Sequence, residues 1–122
     1  MKKSVPFEVF GENQYLYFDI QRLMRLEQLL GKSISNVVAF HDITLDFIVK
    51  SLMVGLSHHS RDNISQWTAK IEKYFEDGGS IELLAEPIMR GIIVSGIFGK
   101  IVDTEAEGAA GEEKNAQATA EQ

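Results

Sequence analysis

No cysteine occurs among the 122 residues, which excludes disulfides, thiolate zinc sites, iron–sulfur clusters and cysteine nucleophiles. Long apolar runs are also missing: nothing approaches the roughly 18 consecutive apolar residues that a membrane-spanning helix needs. The most apolar stretch, Pro87 to Gly99, is too short and carries Arg90. At the N-terminus Lys2 and Lys3 are followed by Pro6, Glu8, Gly11 and Glu12, where a signal peptide would place an apolar block. These absences predict an intracellular soluble protein with no membrane partner. Cations are the minority charge, with 12 Lys and Arg against 18 Asp and Glu. Only two prolines punctuate the chain, Pro6 and Pro87.

The net charge of −6 is unevenly spread. Residues 103–122 hold six carboxylates against Lys114, and residues 1–102 hold eleven cations against twelve carboxylates. The body is therefore nearly neutral and lacks a basic stripe, which argues against nucleic-acid binding, because Lys and Arg on phosphates supply most of that affinity. From Asp103 onward no apolar side chain is larger than alanine. Such a segment cannot bury enough surface to offset its ordering entropy. The organisation expected is one folded domain over residues 1–102, with a hairpin at 5–18 and helices within 20–98, then a disordered acidic tail over 103–122.

Alternation over Val5–Phe10 places Val5, Phe7 and Val9 on one face of a strand. A turn cluster from Gly11 to Gln14 leads to a second, aromatic strand, Tyr15–Phe18. Asp19 is a suitable N-cap for a helix over Ile20–Leu30 that buries Ile20, Leu23, Met24, Leu26 and Leu30, with Gly31 at its end. Ser33 or Ser35 opens a short helix ending near Phe40, and another spans about Ile43 to Ser57. Asn63 and Gln66 form a capping-box pair ahead of the stripe Ile64, Trp67, Ile71, Tyr74 and Phe75, which Asp77-Gly78-Gly79 stops. Ser80 caps the last helical segment, where Pro87 predicts a break near Glu86 and a second piece to about Phe98. Gly91, Ser95 and Gly96 on that piece allow close approach of another backbone or tight internal packing. The fold class is mainly α (α+β): an N-terminal β-hairpin on a bundle of about four to five helices.

No catalytic constellation emerges. The adjacent His58 and His59 point about 100° apart on a helix and suit a helix C-terminus better than one metal. His41-Asp42 reads as a loop and cap pair. Ser95-Gly96 lacks the Gly-x-Ser-x-Gly elbow, and Gly31-Lys32-Ser33 follows a helix and lacks the upstream glycine of a phosphate loop. No enzyme, cofactor or metal site is therefore expected. Trp67, Tyr74, Phe75, Tyr15 and Tyr17 are the candidate partner-binding residues, with membership of the core as the alternative for each.

An aromatic hairpin leads into a helix with Leu26-Glu27, closed by Leu30-Gly31-Lys32-Ser33-Ile34. Val54-Gly55-Leu56 and the His pair come next, then Glu72-Lys73-Tyr74-Phe75, Gly78-Gly79-Ser80-Ile81 and Ile92–Lys100. In this order, over roughly residues 5–102, the chain resembles the tail assembly chaperones of long-tailed siphophages and prophages of Gram-positive bacteria. The resemblance implies a non-enzymatic role in virion morphogenesis in the host cytoplasm, with absence from the finished virion. Its implied partners are the tape measure protein, kept soluble, and the tail tube protein, which polymerises around it; self-association is left open. A small phage or host DNA-binding or regulatory protein is the alternative.

Overall fold

The computed structural model describes residues 3–99; the expected tail at 103–122 lies outside the described residues. Five helices follow a two-stranded antiparallel hairpin. The strands are β1, Ser4–Pro6, and β2, Tyr15–Tyr17. The helices are α1, Ile20–Leu30; α2, Ile34–Ala39; α3, Leu45–Gly55; α4, Ile64–Glu76; and α5, Ile81–Val94.

Each helix starts at a side chain able to accept from the free amides of its first turn. Asp19 accepts from the Arg22 amide at 2.8 Å and Ser33 from Asn36 at 3.1 Å. Thr44 accepts from Phe47 at 3.0 Å and Ser80 from Leu83 at 3.3 Å. Asn63 and Gln66 complete the reciprocal capping box, at 2.8 and 2.9 Å. Gly31, left-handed at φ 73°, ends α1 by donating to the Glu27 carbonyl. The Glu27 carboxylate then accepts the Ile34 amide at 2.9 Å, which fixes the corner between α1 and α2.

α3 is the central helix, buried from Ser51 to its end and on through its cap residue Leu56, and packed against α1, α4, α5 and β2. α5 lies against α3 and both strands. Phe18, immediately after β2, seats its ring between Gly55 of α3 and Gly91 of α5. Trp67 and Ile71 close the other side of the core.

Four expectations are corrected. First, the ladder is shorter than Val5–Phe10: it ends at the Pro6–Tyr15 pair, with one further bond from the Phe7 amide to the Gln14 carbonyl. The chain then turns, with Asn13 left-handed and its amide on the Glu8 carboxylate, so Val9 faces outward. Phe10 packs half-buried on α4 instead. Second, Ile20 and Met24 are 59% and 56% exposed. α1 has α3 as its main neighbour, so it buries only the narrow stripe through Leu23 and Leu26. Third, α5 runs unbroken through Pro87. The carbonyl that Pro87 cannot bond belongs to Leu83, an exposed residue, while Leu84, Pro87, Ile88, Gly91 and Ile92 are held in the core. Fourth, α5 ends at Val94 rather than near Phe98; the Ser95 hydroxyl donates to the Ile92 carbonyl, and Gly96 turns left-handed.

Candidate functional site

Two aromatic groups divide the candidate contact residues. Around α4, Phe10 meets the Trp67 ring edge-on at 5.4 Å and the Tyr74 ring at 5.9 Å, and Phe75 lies 5.6 Å from Tyr74. Trp67 is buried, with the Lys70 ammonium 4.5 Å over its ring and its indole N–H unpartnered among the described residues. It is a core residue and offers no face to a partner. Tyr74 and Phe75 are half-buried, and the Tyr74 hydroxyl donates to the Ser80 carbonyl, which ties α4 to the start of α5. A shallow hollow of about 310 Å³ opens between Val9, Phe10 and Tyr74.

Tyr15 and Tyr17 belong to the second group, at the other end of the hairpin. The Tyr15 ring lies tilted against His58 at 4.5 Å and meets His59 edge-on at 4.8 Å, and the two imidazoles are 4.0 Å apart. The Tyr15 amide donates to His59 Nε2 at 3.1 Å. Arg22 Nη1 donates to the Tyr17 carbonyl at 3.1 Å and to His58 Nδ1 at 2.9 Å, while the guanidinium lies over the Tyr17 ring. A guanidinium has no acceptor, so His58 Nδ1 must be the unprotonated nitrogen. Burial, then His59, then Arg22 lower the His58 pKa from its ordinary value. The histidine pair is thus a clasp joining the end of α3 to β2 and α1. Among the described residues no three His, Asp or Glu side chains converge as a metal set.

Beside this clasp lies a cleft that the sequence reading did not single out. Three adjoining hollows of about 580, 480 and 680 Å³ share Arg22. The first runs along α1 past Met24 and Arg25 to Ser57. The second continues over Met53, Ser60 and Arg61, and the third reaches Lys3 and the two tyrosines. Asp62, at its edge, is paired with Lys70, whose ammonium holds that carboxyl below the usual carboxylate range. Only Tyr15 and Tyr17 of the candidate residues border this cleft. Comparison with protein-family models, curated proteins and solved structures finds no match to this chain. No helix among the described residues is long and apolar enough to cross a membrane.

Proposed function

We propose that this chain is a non-enzymatic binding protein, a phage tail assembly chaperone. In this role it holds the tape measure protein soluble in the host cytoplasm and promotes polymerisation of tail tube protein around it, without entering the mature virion. The observation that carries the reading is the outer face of α1. Ile20 and Met24 stand one turn apart and more than half exposed, on the helix that borders the cleft. Apolar side chains in that setting suit a helical client whose own apolar stripe would cover them. The ordered resemblance supplies the identity of the client.

Co-expression with the tape measure protein of the same genome tests this. The client should become soluble and co-purify, and Ile20→Glu/Met24→Glu should weaken the complex while the chain stays folded. Failure to bind either tape measure or tail tube protein would remove the proposal. A second reading, a small DNA-binding protein, draws on the cations along the cleft. It predicts a mobility shift of duplex DNA at low salt that vanishes at moderate salt.

A further inference from the structure

Residues 3–99 contain nine Lys and Arg side chains against twelve Asp and Glu. Five of the nine are paired with a carboxylate: Lys32 with Asp42, Lys50 with Asp46, Lys70 with Asp62, Lys73 with Asp77 and Arg90 with Glu86. The four without a carboxylate partner among the described residues are Lys3, Arg22, Arg25 and Arg61. All four line the connected hollows around Arg22, and none of the five paired cations does. Two carboxylates share the lining, and both are engaged: Asp19 caps α1 and Asp62 holds Lys70. The unpaired positive charge of a domain that is otherwise net acidic is gathered in one concave place.

The chain carries its own complement. Residues 103–122 contain Asp103, Glu105, Glu107, Glu112, Glu113 and Glu121 against a single Lys114. Their only apolar side chains are alanines, so the cleft's charge, not its apolar floor, would hold them. The 23 residues after Gly99 span roughly 75 Å when extended, against a diameter of about 35 Å for a domain of this size. Every part of the cleft is within reach. A tethered segment acts at an effective concentration of order millimolar, so several individually weak, solvent-exposed ion pairs suffice to populate the bound state.

We propose that the acidic segment 103–122 docks in cis on the cleft formed by Lys3, Arg22, Arg25 and Arg61. Ion pairing of this kind is screened as the Debye length contracts.

The absence of cysteine permits a direct test on the full chain. A nitroxide on Ala110→Cys should broaden the backbone amides of residues 19–25 and 57–62 at low salt. Their intensities should fall at least about twofold relative to amides of residues 82–86, and recover when ionic strength rises from about 20 to about 500 mM. Arg25→Gln/Arg61→Gln should abolish the effect without unfolding, because neither side chain makes a hydrogen bond or ion pair within the described residues. Broadening that is absent, spread evenly over the surface, or indifferent to those two substitutions overturns the proposal. So does broadening of an isotope-labelled chain by a separate spin-labelled copy, which would make the occupant a second molecule. A DNA duplex that shifts these amides while the nitroxide leaves them untouched would assign the cleft to nucleic acid instead.

Discussion

Phe18 is wedged between two helices by two missing side chains, which gives an ordered series of stability changes. A Cβ on Gly55 would stand 2.8 Å from Phe18 Cζ and 2.8 Å from Leu16 Cδ2; one on Gly91 would stand 3.1 and 3.2 Å from the same Phe18 ring. Neither glycine has a positive φ, so alanine fits the backbone at both positions. Alanine adds up to about 1 kcal/mol of helix propensity at each site. Against this, overpacking a closed core costs about 1–3 kcal/mol. Phe18 and Leu16 are wholly buried, and the ring has no flexible end with which to retreat. Gly55→Ala should therefore destabilise by a net of about 1–2 kcal/mol, and Gly91→Ala should fall within about 0.5 kcal/mol of the parent.

The double variant is the sharper measurement. A ring pushed away from α3 is pushed towards α5, so the pair should cost more than the sum of the single changes, by at least about 0.5 kcal/mol. Phe18→Leu should cost less in the Gly55→Ala background than alone. Trp67 is the only tryptophan and is buried, so its fluorescence reports the urea midpoint directly. With a slope of about 1 kcal/mol per molar urea, the Gly55→Ala midpoint should fall by roughly 1–2 M. A raised midpoint for Gly55→Ala, or strict additivity in the double variant, would refute the wedge and leave both glycines as weak helix positions.

The hydroxyl of Ser51 is buried in the middle of α3 without a hydrogen-bond partner among the described residues. Ser51→Ala should raise stability by about 1 kcal/mol, seen by calorimetry as a Tm increase of roughly 4–8 °C; a decrease would mean that the hydroxyl has a partner. His58 supplies the pH dependence. Its folded pKa is lowered from the ordinary 6.5, so the unfolded chain binds more protons and stability rises with pH. The contribution is complete above about pH 6.5 and is lost as the pH falls through the lower folded value. Urea midpoints should drop between about pH 7.5 and 5.5, and His58→Gln should flatten that slope. An unchanged slope in the variant would remove His58 from the account.

The helix starts were legible because a cap is a local transaction. Asp19, Asn63 with Gln66, and Ser80 each needed only their own first turn, and Ser33 was one of the two serines offered for α2. Thr44 was absorbed into the reading of α3 because Ile43 ahead of it extended the apolar pattern. What periodicity could not give was the number of neighbours a helix has. Ile20 and Met24 continue the apolar stripe of α1, yet a helix packed mainly on one partner buries a narrow strip of it. Nor could the cleft be read in advance. Lys3, Arg22, Arg25 and Arg61 are scattered along the chain, and a charge count over residues 1–102 averages them into near-neutrality. Only the closing of five other ion pairs singles them out.

The stretches on which the proposed chaperone resemblance rests serve the fold. Leu26 and Ile34 are wholly buried, and Glu27 and Gly31 make the turn between them. Gly55 receives Phe18 and Leu16, and a Cβ on Gly79 would fall within the ring of Tyr74, whose hydroxyl reaches the Ser80 carbonyl. Residues under such constraints are fixed by packing whatever the domain binds. In the proposed chaperone role, recognition of a client would fall to side chains that packing leaves free. Ile20, Met24, Arg25 and Arg61 are exposed, lie outside all of those stretches and gather on and beside one cleft. Two chains sharing the motif stretches would thus share this architecture, and, under the proposed role, exchange of the α1 outer face alone should transfer client preference between them.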